Sequence, residues 1–236
     1  MKTDVSRDPA FESRAETAEL GAVANFFFEL GMLKKTPRSG FQFLGSGGES
    51  VAAHSHRVAM IGYTLARMSD HPDPLRVVML CLFHDLAEAR TGDMNYVNKQ
   101  YVAVDEAGAI ADLAKTLPFG NELVELTAEY RSGHSSASHL AHDADQLDLI
   151  LELKAQHDLG NPYAVRWLHF ARRRLRTELG QKLAAQVATT DSCDWWFDGH
   201  DHWWEHRDGS DPAEPDRPEP DLAATHNPTS GTERTS

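Results

Sequence analysis

Apolar residues recur at helical spacing along most of the chain. From about Ala15 to Met32, the row Leu20, Val23, Ala24, Phe27, Phe28 and Leu30 predicts a first helix. The following segment, Lys34–Gly48, is rich in Gly, Ser and Pro and predicts a loop. A second helix is expected from Ser50 to Met68 on the row Val51, Val58, Ile61 and Leu65. A third starts near Pro74 and runs through to Thr91-Gly92. Its middle, Val77–Phe83, is apolar on every side and belongs at the centre of a core. After a loop at 92–103, helices are expected around 104–116, 121–131, 137–157, 163–178 and 180–189. No long stretch alternates apolar and polar residues, so no strand is predicted and the fold class is all-α.

Length and charge then divide the chain. Its 236 residues suffice for one good-sized domain with extensions. The pattern places a flexible leader at 1–13, the helical domain at 14–190, a Trp- and His-rich strap at 191–208 and a disordered acidic tail at 209–236. Residues 191–236 hold 12 acidic and 3 basic residues, so most of the net charge of -13 lies there and the body is nearly balanced. No Lys/Arg stripe suits a nucleic-acid backbone, and Arg172-Arg173-Arg174 with Arg176 reads as a solvated helix face. No apolar run reaches membrane-spanning length, and the N-terminus lacks the apolar core of a signal peptide. Two cysteines, Cys81 and Cys193, give no disulfide framework, so the expected setting is cytoplasmic, without nucleic-acid or membrane partners.

The candidate chemistry centres on one of four His-Asp dipeptides. His84-Asp85 alone follows a solid apolar run, which places an imidazole and a carboxylate deep in a helical core. Such groups are costly to bury unless paired or bound to a metal. Glu88, four residues on, is expected to project from the same helix face as His84. Thr91-Gly92-Asp93 brings a further carboxylate, and His54 lies in line with Val58, Ile61 and Leu65 on the helix before. Imidazole with carboxylate suits a borderline or hard divalent cation. An ion of that kind activates water and neutralises phosphoryl charge, while a free carboxylate moves protons.

These residues carry a resemblance. Leu33–Phe41 (LKKTPRSGF), Glu49–Ser55 (ESVAAHS), His84–Glu88 (HDLAE) with Thr91-Gly92-Asp93, and Asp143–Leu147 (DADQL) occur in order and in register over roughly 20–155. Together they resemble the HD-domain phosphohydrolases, and among them the 5′-deoxynucleotidases. The resemblance implies a helical bundle holding one divalent ion, whether Mn, Co, Mg, Zn, Ni or Fe, on His54, His84, Asp85 and Asp145. It implies catalytic roles for Glu88 and Asp93, phosphate binding by Arg38, and a homodimer. Phe41 stands where many relatives have Trp, and with Arg38 it is the candidate substrate contact.

Bland alternatives sit beside each reading. His56 shares a helix with His54, and Asp143 and Asp148 share one with Asp145; the motif match favours His54 and Asp145. Glu88 is alternatively a salt-bridge partner, Asp93 a turn former and Arg38 a surface residue. His134, His139 and His142 are expected at the surface, and Asp194–His206 (DWWFDGHDHWWEH) as an aromatic strap. The leading function is hydrolysis of a small phosphomonoester, a (deoxy)ribonucleoside 5′-monophosphate. The alternatives are a di-iron oxygenase of HD type and a non-catalytic interaction module.

Overall fold

The computed structural model describes residues 9–197. Residues 1–192 form one compact unit and residues 193–236 a second. Among the described residues there are nine α-helices and no strand. They are α1 (Pro9–Leu33), α2 (Val51–Met68), α3 (Pro74–Phe83), α4 (Glu88–Thr91), α5 (Glu106–Ala114), α6 (Gly120–Ser132), α7 (Ser136–Asp158), α8 (Ala164–Arg172) and α9 (Glu178–Val187). Short 3-10 turns cover Ser39–Phe43 and Asn98–Gln100.

Short polar side chains start several of these helices. Ser50 accepts a hydrogen bond from Ala53 N, Asp73 from Arg76 N, Asp105 from Gly108 N, Ser135 from Ser138 N and Thr177 from Gly180 N. Each satisfies an amide that the first helical turn leaves without a partner. Pro74 occupies the first turn of α3, where a missing N–H costs nothing. Gly133 ends α6 in the left-handed conformation, φ 61°.

Two hydrophobic cores result. The larger is built by Val58, Leu65, Val77, Leu80, Leu140, Ile150 and Leu153, where α2, α3 and α7 pack together with α8 and α9. The smaller joins Phe26 and Leu33 of α1, Val51 of α2, Leu86, and Ile110, Leu113 and Leu123 around α5 and α6. Phe83 packs against both. α2 therefore spans the two, with Val51 in one core and Val58 in the other, and His54 lies between them.

The structure decides one face and changes one expectation. α1 turns a stripe of Val23, Phe26, Leu30 and Leu33 inward, while Leu20, Phe27 and Phe28 are exposed. The third predicted helix is not continuous. After Phe83 the chain tightens, with i→i+3 bonds from Leu86 N to Phe83 O and from Glu88 N to Asp85 O, before α4 resumes. His84 and Asp85 sit in this break.

Of the second unit, residues 193–197 are described, and there the Trp196 and Phe197 rings meet edge to face at 5.4 Å. The remainder of the strap, residues 1–8 of the leader, and the tail lie outside the described residues.

Candidate metal centre and active site

The four side chains that the resemblance singles out as metal ligands converge. His54 comes from α2, His84 and Asp85 from the break after α3, and Asp145 from α7. Ligand atoms of His54, His84 and Asp85 lie within 4.8 Å of one another. His54 Nε2 is 3.3 Å from Asp145 Oδ1 and 3.6 Å from Asp85 Oδ2, and His84 Nε2 is 3.1 Å from Asp85 Oδ2. The two imidazole rings are 5.4 Å apart.

The outer ring nitrogens explain the orientation. His54 Nδ1 lies 2.7 Å from Asp148 Oδ2, and His84 Nδ1 lies 2.8 Å from Cys81 O. A carboxylate and a carbonyl only accept, so each Nδ1 carries a proton, and the neutral form of each ring presents its Nε2 lone pair inward. Both Nε2 atoms are buried and neither makes a hydrogen bond. Two buried lone pairs facing two carboxylates are the donor set a divalent cation satisfies, and the Nδ1 bonds are the outer contacts that ligating histidines ordinarily make. The residues present therefore fit a metal.

Electrostatics agree. Burial opposes charge on His54, yet Asp145 and Asp148 push its pKa up to about 10 in the metal-free protein. Burial likewise opposes ionisation of Asp85 and Asp145. The histidines and Arg38 nevertheless hold both below the usual carboxylate range. A proton on His54 and a cation at Nε2 are alternative ways of balancing these charges.

The remaining candidates surround this cluster. Arg38 donates from Nη1 to Asp85 Oδ2 at 3.2 Å and feels Asp145, Asp93 and Glu88 as well. Glu88 is half-buried with Oε2 unbonded. Burial, then Asp85 and Asp93, push its pKa up to about 9. It reaches the site across the tightened turn, not along one face of a continuous helix. Asp93 Oδ2 accepts from Ser39 N at 2.6 Å and from Ser39 Oγ at 3.2 Å, so it ties down the loop that carries Arg38. Phe41 packs half-buried against the larger core, beside Gly47. Gly47 has φ +76°, and a Cβ there would meet the Gln156 amide at 2.8 Å.

The competing residues separate clearly. His56 is exposed. Asp143 is fully buried and accepts from Arg176 N, Thr177 N and Thr177 Oγ. His139 Nε2 bonds to Gly133 O, 2.8 Å away, and His142 Nδ1 lies 3.5 Å from Asp143. The sequence reading had not singled out Tyr130, Gln146 or Ser39, and had weighed Asp148 only as a rival of Asp145. The Tyr130 ring lies 5.0 Å from that of His84, tilted at 47°, and its hydroxyl donates to Asp145 Oδ2 at 3.4 Å. Gln146 donates to the same oxygen at 2.8 Å, Ser39 binds Asp93, and Asp148 binds His54. Gln146 and Asp148 lie in or beside the DADQL motif, and that adjacency was the available signal.

The HD-domain family profile matches residues 30–186. A 5′-deoxynucleotidase HDDC2 from Bos taurus is 32% identical over 138 residues, covering 56% of this chain and 66% of its own. The Dictyostelium discoideum protein of the same name is 30% identical over 152 residues, covering 58% and 80%. Among solved structures, a conserved hypothetical protein from Pyrococcus furiosus matches with TM-score 0.61 and 26% identity, over 71% of this chain and 99% of that one. With about two thirds of its length and its whole His-Asp cluster inside the matched region, the chain belongs to the HD-domain family.

Proposed function

We propose that the protein is a metal-dependent phosphomonoesterase that hydrolyses 2′-deoxyribonucleoside 5′-monophosphates to nucleoside and phosphate. The observation that carries the reading is the pair of unbonded, inward-facing Nε2 atoms beside two carboxylates, with a guanidinium at their edge. The relatives named as 5′-deoxynucleotidases support the substrate class. His54, His84, Asp85 and Asp145 would hold one divalent ion. When bound, that ion supplies Lewis acidity toward water and the phosphoryl oxygens.

The chain's own groups do the rest. Arg38 presents a planar fork of donors, which binds two phosphate oxygens at once. Glu88, protonated at neutral pH in the metal-free protein, has a buried Oε2 without a partner. Such a carboxyl donates its proton to the leaving 5′-oxygen as water adds to phosphorus. Asp93 acts through Ser39, holding the loop so that Arg38 stays over the site. Phe41 packs with the core, so its part in 2′-selectivity is indirect, through the same loop.

A panel of deoxy- and ribonucleoside monophosphates against Mn, Co, Mg, Zn and Ni, read as phosphate release, tests the reading. The expected result is turnover of dAMP above AMP, in line with the names of the 5′-deoxynucleotidase relatives. Absence of phosphate release from every monophosphate sinks it. No helix among the described residues is long and apolar enough to cross a membrane. Our reading of the assembly is a homodimer in the cytoplasm. The exposed Leu20, Phe27 and Phe28 of α1 support the former, and light scattering on the assayed sample checks it.

A further inference from the structure

Asp148 has no role in the reaction described above, yet it is fully buried on α7 and sits directly behind His54. Its Oδ2 accepts from His54 Nδ1 at 2.7 Å. Its Oδ1 accepts from Arg57 Nε, and its backbone oxygen lies 3.4 Å from Arg57 Nη2. Arg57 stands one turn after His54 on α2 and is itself held by Glu152 at 2.6 Å. Glu49 Oε1 lies 4.0 Å from His54 Nδ1, too far to share its hydrogen. Asp148 is thus the acceptor for His54, and both of its oxygens are committed, one to each of two donors.

We propose that Asp148, locked by Arg57, is the positioning residue that sets the tautomer of His54 and thereby the metal affinity of the site. The inference rests on the metal-dependent reading above but concerns a residue that reading leaves unused. The chemistry is directional. A carboxylate only accepts, so it keeps a proton on Nδ1, and in the neutral imidazole that would take the metal the lone pair is then on Nε2. An asparagine of the same shape has one acceptor oxygen and one NH2. Arg57 Nε–H is a donor in every state and takes the oxygen. The NH2 then faces His54 Nδ1, which must accept, and the imidazole proton moves to Nε2. A protonated Nε2 cannot ligate. If Arg57 is replaced by a side chain without donors, the asparagine is free to turn its oxygen toward His54 and restore the original tautomer.

The test uses full-length protein stripped of metal and titrated with Mn2+ by calorimetry, with circular dichroism confirming the fold. Asp148→Asn is expected to weaken Mn2+ binding by about 10–100-fold, as loss of such outer contacts does. Asp148→Asn combined with Arg57→Met is expected to bind more tightly than Asp148→Asn alone, a rescue that a simple packing role does not produce. Wild-type affinity in Asp148→Asn overturns the proposal, and so does a double variant no tighter than the single one. The wild type supplies a check independent of any variant's folding. Nitrogen-15 histidine NMR of the Zn2+-loaded protein should show His54 protonated at Nδ1 and metallated at Nε2, and the reverse assignment overturns the proposal. Binding is read without turnover, so its failure leaves the monophosphatase reading standing. Absence of turnover on every monophosphate, in turn, leaves this inference standing.

Discussion

The carboxylates of Asp143, Asp145 and Asp148 leave one helix in three directions. Asp143 caps the chain at 176–177, Asp145 faces His54 Nε2, and Asp148 holds His54 Nδ1. Spacing along α7 does not rank them; the partner on the facing element does. Glu88 is decided in the same way, by what surrounds it. Its pKa of about 9 follows from burial and from Asp85 and Asp93, and it has a consequence for stability. A carboxyl raised in the fold binds more protons folded than unfolded between its ordinary pKa and about 9, so stability falls as pH rises through that window. His54, raised to about 10, acts in the same sense, because its charged form is favoured in the fold and is lost as pH climbs. Metal-free protein should therefore melt at progressively lower temperature from pH 7 to pH 10. Glu88→Gln should flatten part of that decline, keep its metal, and lower kcat by about 10²–10⁴, the range of a general acid. Loss of metal in Glu88→Gln would make Glu88 a ligand. An unchanged alkaline decline would mean that its proton is not held as the surroundings demand.

At the scale of elements, helix positions were legible because the apolar rows and the starts at Ser50 and Pro74 are local signals. The interruption after Phe83 was not. An unbroken apolar run reads as one helix, and only the packing of Leu86 into the smaller core shows why the chain turns. The inward face of α1 is undecided for a related reason: with Phe26, Phe27 and Phe28 in succession, the sequence does not say which faces the protein. The candidate ligands were picked out by a joint motif, and the structure brings them together, whereas Ser39–Asp93 and His54–Asp148 join residues 54 and 94 apart, which no local pattern reports. Gly62 is a further case. It reads as an unremarkable helical glycine, yet a Cβ there would lie 2.5 Å from Cys81 Sγ and 3.3 Å from Val77 Cγ1, where α2 meets α3. Gly62→Ala should cost about 1–3 kcal/mol by overpacking, measured by urea unfolding. Cys81→Ala should make room for it, so the double variant should be no less stable than Cys81→Ala alone, since alanine favours the helix over glycine. Strictly additive losses would show that the close approach at Gly62 does not limit the packing.

For the whole molecule, the site is where two cores meet. Val51 and Val58 put the two halves of α2 in different cores, Phe83 touches both, and the ligand candidates fall between. α7 reaches the same point from the larger core through Asp145. A cation held by His54, His84, Asp85 and Asp145 would tie α2, the turn after α3, and α7 into one unit. Ion binding to the folded state alone adds RT ln(1 + [L]/Kd), about 2.7 kcal/mol at a hundredfold excess over Kd. Each kcal/mol moves the melting temperature by about 2–4 °C in a domain of this size. Removing the metal with a chelator should therefore lower the melting temperature of the wild type by several degrees, and adding the ion back should restore it in proportion to the logarithm of its concentration. Asp85→Ala removes a charged ligand and should abolish that dependence. Ser39→Ala, which loosens the loop over the site without touching a ligand, should keep it. A wild type whose melting temperature ignores both chelator and added ion would place the cation's contribution outside the junction of the two cores. A response retained in Asp85→Ala would remove Asp85 from the ligand set.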